Sequence, residues 1–201
     1  MRKARSDEKK LLEHEEAIKN GERVVLLQDE CHLLWGDGCG MVWGKRNQTL
    51  EVPINNARQR QTSYGAVNML TKTFHLKACE KGDSHNTIAY VQSLQELYPG
   101  KQIWLLWDNA SYHRSAALKD FLVQQNQDLE EEAWKMLCVP FAPHAPEQNP
   151  VEDIWLKGKN FLRKNFVLNK TFASVKQCFV NFLTSLQFDS HKFDWYFPRI
   201  I

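Results

Sequence analysis

The sequence predicts an α/β domain built on a mixed five-stranded sheet. Two continuous apolar runs, RVVLLQDE (23–30) and KQIWLLWDN (101–109), have the character of strands buried on both faces. SYGAVNML (63–70) and TFHLKACE (73–80) are separated only by Thr71-Lys72, which suits an antiparallel hairpin. Beyond them, helical and strand patterns alternate, as they do where parallel strands are joined by crossovers.

In chain order, SDEKKLLEHEEAIKN (6–20) is charged and helix-favouring, with Asn20-Gly21 as its stop, and reads as a short helix or a linker. The first strand follows at 23–30. Gly36, Gly38, Gly40 and Gly44 then punctuate a turn-rich stretch with a short strand at Met41–Trp43, and residues 44–61 read as a polar, basic loop. After the hairpin, Ile88, Val91, Leu94 and Leu97 recur near helical period across 85–99, with Ser84 as the expected cap. The strand at 101–109 leads to a helix over 115–127 and a strand over 134–141. Pro140, Pro143, Pro146 and Pro150 exclude a regular element from the loop that follows. A helix then runs from Asn149 to about Phe166, and a last one over 172–186 presents Phe172, Val175, Phe179, Phe182 and Leu186. This divides the chain into residues 1–20, a linker or N-terminal helix, and one domain over 21–201.

Composition narrows the function classes. At 201 residues, 43% hydrophobic and 25% charged, the chain can bury one sizeable core. It holds no apolar run long enough to span a membrane and no apolar N-terminal leader, so a cytoplasmic protein is expected. The five cysteines form no Cys-x-x-Cys pair, which argues against a zinc ribbon and for reduced thiols. A net charge of +2 neither demands nor excludes nucleic acid.

Chemistry is suggested by acids. Both long apolar strands end in an aspartate, Asp29 and Asp108. Side by side and parallel, they would deliver two carboxylates to one sheet edge, where α/β active sites gather. Like charges raise each other's pKa, and a divalent cation removes the conflict. A third acid comes from PEQNPVEDIW (146–155). With Asn149 as N-cap and Pro150 at the first helical position, Glu152 falls third in the helix. It could serve as a capping-box glutamate or stand at the sheet edge beside the two aspartates. Glu147 sits in the Pro-rich loop, and Asp153 is turned about 100° from Glu152. Glu30 should face away from Asp29, because side chains alternate along a strand.

The blocks LLQDE, WDNASYHRS (107–115) and PHAPEQNPVEDIW (143–155) resemble the signature blocks of DDE transposases. The likeness is to the mariner superfamily and, within it, to the bacterial insertion sequence 630 family. It covers about residues 23–166 and implies a ribonuclease-H-like fold with Asp29, Asp108 and Glu152 holding two Mg²⁺ or Mn²⁺ ions. It further implies cleavage at transposon ends, transfer of the freed 3′-hydroxyl into target DNA at TA dinucleotides, and a homodimer on DNA in a bacterial, nucleoid-associated setting. The spacing departs from mariner elements proper, with 43 residues between Asp108 and Glu152, the extra length falling around 124–135. The family's helix-turn-helix domains have no counterpart in the twenty or so residues before the first strand. The chain therefore reads as a catalytic fragment, half of a split frame or a decayed element.

Auxiliary residues follow from the same blocks. Asn109 could orient Asp108 or form an Asx turn. His113 matches the family's histidine and could meet DNA phosphate or a metal-bound water, or be a plain capping group. His32 and His144 read as structural, and Trp155 as core. Lys157, Lys159, Arg163 and Lys164 fall on the helix that carries Glu152, and Lys45 and Arg46 in the early loop. They are candidates for DNA phosphate contacts or simply a solvated surface. Three functions compete: metal-dependent DNA strand transfer, a ribonuclease-H-like nuclease that hydrolyses without joining, and a non-catalytic DNA-binding or assembly remnant.

Overall fold

The computed structural model describes residues 11–38, 45–47, 59–141 and 149–193. The strand expected at Met41–Trp43, as well as Glu147 and His144, lies outside them. Five strands form one sheet: β1 (Arg23–Leu34), β2 (Arg60–Asn68), β3 (Phe74–Cys79), β4 (Gln102–Trp107) and β5 (Met136–Pro140). Their order is β3-β2-β1-β4-β5. β1, β2 and β3 pair antiparallel, whereas β4 pairs parallel with both β1 and β5. The helices are α1 (Glu15–Lys19), α2 (Ser84–Leu97), α3 (Ala116–Gln125), α4 (Pro150–Lys164) and α5 (Phe172–Ser185).

Both faces of the sheet are covered, which is why the central strands read as unbroken apolar runs. On one face Val25, Leu27, Cys31 and Leu33 of β1 pack with Ile154 and Leu162 of α4 and Val175, Phe179 and Leu183 of α5. Leu11 and Ile18, from the N-terminal segment, are buried in that same core. On the other face Val24 and Leu26 pack with Tyr90, Val91 and Leu94 of α2 and with Leu118 and Phe121 of α3. Gly158 lets α4 and α5 approach, since a Cβ there would lie 2.5 Å from the Phe179 ring.

Two local expectations are corrected, and the antiparallel hairpin is as expected. β1 does not stop at its acids. Its parallel pairing with β4 ends at Leu27↔Leu106, but its antiparallel pairing with β2 continues to Leu34↔Arg60. The alternating burial of Cys31, His32, Leu33 and Leu34 carries this extension. The cap of α2 is Asp83, not Ser84, because the Asp83 side chain accepts from the Asn86 backbone N–H at 2.9 Å. The hairpin turn draws its chemistry from Asn68, whose Oδ1 accepts from the N–H groups of Leu70 and Thr71, while Lys72 takes φ 60. Among the described residues, no helix is long and apolar enough to cross a membrane.

Candidate active site

The sheet opens where β4 ends and β1 runs on. Continuing the register past Leu27↔Leu106 sets Asp29 beside Asp108, on neighbouring parallel strands. Asp29 points to the α4 face, where the Trp155 indole N–H donates to its Oδ2 at 3.1 Å. That reach depends on Gly65, which pairs with Asp29 across β1 and β2. A Cβ on Gly65 would lie 2.5 Å from ring atoms of both Trp155 and Phe74, so only glycine leaves room for the indole. Trp155, expected as core, is thus buried and also touches an acid.

The third acid arrives on α4. Asn149 is the N-cap, its side chain accepting from the Val151 N–H at 3.1 Å, and Pro150 opens the helix. The Asn149 amide also donates to the Gln28 carbonyl at 3.0 Å, which ties the helix start to β1 one residue before Asp29. Glu152 occupies the first turn and is half-buried. Its neighbour Asp153 is engaged elsewhere. Its carboxylate accepts from Lys192 Nζ at 2.8 Å and Ser190 Oγ at 3.2 Å, and Lys192 reaches the Asn149 carbonyl at 3.4 Å.

Electrostatics mark Asp29 as the strained member. Burial pushes its carboxyl up, the charges of Glu30, Glu152 and Asp108 add to this, and the result is a pKa raised from 3.8 to about 7. Asp108 goes the other way. A hydrogen bond from His113 holds it below the usual carboxylate range against the effect of burial.

His113 is neither a surface group nor a simple cap. It lies in the 3₁₀ turn Ser111–Arg114, buried, with its ring stacked on Trp107 at 4.2 Å and an interplanar angle of 4°. Its Nδ1 is 3.0 Å from Asp108 Oδ1 and its Nε2 is 3.1 Å from Glu30 Oε1. Burial opposes its charge, but the hydrogen bonds to Asp108 and Glu30 prevail and lift the imidazole to about 9. Glu30 does face away from Asp29, as strand alternation requires, and it meets His113 there. Among the described residues, Glu30, Asp108 and His113 bring ligand atoms within 4.8 Å of one another, a group that could hold a metal ion. Asp108 also accepts from the Ala110 N–H at 2.9 Å, an Asx turn, while Asn109 reaches the Phe141 carbonyl only at 3.5 Å.

A model of the DDE superfamily endonucleases matches residues 24–174, most of the chain. The chain belongs to that family. No protein of curated function matches it. Among solved structures, this DDE endonuclease domain is similar to the Mos1 transposase paired-end complex with the left transposon end (TM-score 0.58, 15% identity, 96% of this chain and 56% of the other). It is similar also to the Mos1 mariner paired-end complex with Mn (TM-score 0.56, 16% identity, 96% and 56%). A simian T-cell lymphotropic virus intasome matches at TM-score 0.55 and 12% identity, over 88% of this chain and 55% of that one. These likenesses establish a ribonuclease-H-like fold for the mixed sheet. The chain spans just over half the length of each of these structures.

The basic residues of this DDE domain do not form one row. At about 100° per residue, Lys157 and Lys164 share one side of α4, and Lys159 and Arg163 another. Lys157 lies over the Phe188 ring at 4.6 Å, whereas Lys159 donates to the His32 carbonyl of β1 at 3.4 Å. Lys45 and Arg46 are exposed.

Proposed function

We propose that this chain is the catalytic domain of a DNA transposase, residues 21–201, of the insertion sequence 630 branch of the mariner superfamily. It cleaves DNA at transposon ends and joins the freed 3′-hydroxyl to target DNA. The observation that carries this reading is the state of Asp29. A half-buried carboxyl that feels the charges of Glu152 and Asp108 is a site short of positive charge. Three carboxylates offer hard oxygen donors, the set that Mg²⁺ and Mn²⁺ prefer.

Asp29, Asp108 and Glu152 would hold a pair of such ions. Bound there, the ions supply Lewis-acid polarisation of a phosphodiester and a nucleophile at neutral pH. The chain's own residues set the stage. The Trp155 indole fixes one oxygen of Asp29. Asn149 fixes the first turn of α4, and with it Glu152. In cleavage, a water oxygen bonds to phosphorus and the 3′-oxygen leaves with a proton. In joining, the oxygen of that 3′-hydroxyl bonds to a target phosphorus, and the target's own 3′-oxygen leaves with the proton the attacking hydroxyl gives up. Lys157, Lys159, Arg163, Lys164, Lys45 and Arg46 are proposed phosphate contacts, and two copies are proposed to act together on DNA.

The test is a nicking and joining assay on supercoiled plasmid and on a duplex with a free 3′-hydroxyl, in Mg²⁺, Mn²⁺ or chelator. Glu152→Gln is expected to keep the fold and DNA binding but to lose cleavage by about 10³-fold or more, whereas Asp153→Asn retains it. Activity that persists in chelator refutes the metal mechanism. Hydrolysis without joining would assign the chain to plain nucleases instead.

A further inference from the structure

We propose that Glu30 is a positioning residue that fixes Asp108 through His113, and that this cluster is closed by the imidazole rather than by an ion. The inference rests on the reading of Asp108 as a metal ligand. Asp108 follows the last residue of β4, and its side chain is 52% exposed. Without His113 its described anchor would be the single N–H of Ala110. The imidazole that supplies the second anchor is itself buried and packed on two sides. Trp107 stacks on the ring, and Tyr112 meets it edge-on at 4.7 Å. Its far nitrogen ends on Glu30, whose side chain is only 6% exposed. Glu30 is held in turn by the Gln28 amide at 2.9 Å.

The alternative occupant of this cluster is a cation, and the geometry argues against it. Asp108 and Glu30 contact opposite nitrogens of one imidazole. An ion on either ring nitrogen would have to displace the contact that nitrogen already makes. The imidazole instead meets both residues at once, with Nε2 hydrogen-bonded to Glu30 at 3.1 Å and Nδ1 hydrogen-bonded to the Asp108 carbonyl at 3.1 Å and lying 3.0 Å from its Oδ1. The sheet also separates the roles. Asp29 faces α4, Glu30 faces the opposite layer, and Asp108 at the strand end is reached from both. An acid–histidine pair behind a metal ligand commonly sets the ligand's orientation, and its loss costs about 10–100-fold in metal affinity or activity.

The test reads Mn²⁺ binding to the full chain from the loss of the free-ion paramagnetic resonance signal, without DNA. Asp108→Asn and Asp29→Asn serve as ligand controls. Glu30→Ala is expected to weaken Mn²⁺ by about 10–100-fold. Glu30→Gln keeps the size and an acceptor for the imidazole N–H, and is expected to weaken it by roughly threefold to tenfold. DNA affinity should stay at the wild-type value in both, with the half-saturating Mg²⁺ for nicking shifted in parallel. Should Glu30→Ala fail to fold, Glu30→Gln carries the test alone. Wild-type Mn²⁺ binding in Glu30→Gln overturns the inference while the controls still lose the ion. A loss in Glu30→Gln as complete as in Asp108→Asn overturns it too, since Glu30 would then be a ligand. If the Asp29 and Asp108 controls themselves bind Mn²⁺ normally, the metal site proposed above has failed instead.

Discussion

Asp29→Asn should stabilise the metal-free protein. The wild-type carboxyl is shifted from 3.8 to about 7, first by burial and then by Glu30, Glu152 and Asp108. Its folded pKa is raised, so the folded state holds a proton that the unfolded state releases. Stability is therefore highest below about pH 4 on this group's account and is lost as pH rises through about 7. A displacement of this size corresponds to about 4 kcal/mol once the group is fully ionised. Asp29 is only partly buried, so solvent screens part of this, and about 2–4 kcal/mol is expected. For a chain of this length that is roughly 5–15 °C in melting temperature. Asparagine matches the shape, carries no charge and still accepts from the Trp155 indole. The assay is thermal melting of both proteins in chelator at pH 4.5 and pH 8. The variant should melt higher at pH 8, with the gap mostly closed at pH 4.5. Saturating Mg²⁺ should raise wild type and leave Asp29→Asn unchanged, because only a ligand that binds the folded state shifts the equilibrium. Equal melting at pH 8 in chelator, or the same gap at both pH values, would refute the argument that Asp29 is held against its own charge.

Other expectations follow from the same contacts. Gly65→Ala must displace Trp155 and Phe74, with an expected loss of about 1–3 kcal/mol, read by chemical denaturation, together with a change in Trp155 fluorescence. Lys192→Met removes the cation beside Asp153 and should cost about 1–2 kcal/mol while lowering DNA cleavage. Lys192→Arg should restore most of both, and a cleavage rate unmoved by Lys192→Met would dismiss any role for this tether in setting Glu152. Replacing Lys157, Lys159, Arg163 and Lys164 together should reduce the slope of log affinity for DNA against log salt by up to about four. If only Lys159 and Arg163 lower it, the side of α4 turned toward β1 is the one that meets phosphate.

Local chemistry made much of the fold legible. The apolar runs that became β1 and β4 are buried on both faces, and such strands need no alternation to be recognised. Asn149 and Pro150 announced the start of α4 because a cap and a pre-set φ are properties of the residues themselves. What stayed hidden depends on register and on distant partners. The continuation of β1 through Cys31–Leu34 is decided by β2, which supplies the partner rows beyond the point where β4 stops. The Trp155–Asp29 contact needs Gly65 opposite Asp29, a relation fixed only when β1 and β2 are paired. The alternation rule placed Glu30 on the far side of the strand. It could not say that a 3₁₀ turn after β4 would bring an imidazole there.

The two acids of the Asp29-Glu30 step do opposite things with the same side-chain chemistry. Glu30 is nearly enclosed, yet it has a partner in His113 and an amide from Gln28. Asp29 has one indole N–H and a favourable contribution from the Glu30 backbone, set against burial and three neighbouring negative charges. If burial alone made a carboxylate a metal ligand, Glu30 would qualify at least as well. The difference lies in what remains unsatisfied after folding. Around Glu30 the protein has supplied its own cation, and a second one would have to displace it. Around Asp29 the positive charge must come from outside. Asp108 links the two environments, because its pKa is held down by the same imidazole that Glu30 secures. Asp108, proposed above as a metal ligand, is therefore kept ionised by a contact the fold itself supplies. On the proposals made here, that division of labour accounts for the adjacent acids in VVLLQDE: one is left as an electrostatic deficit on the α4 face, and the other steadies the turn that carries His113.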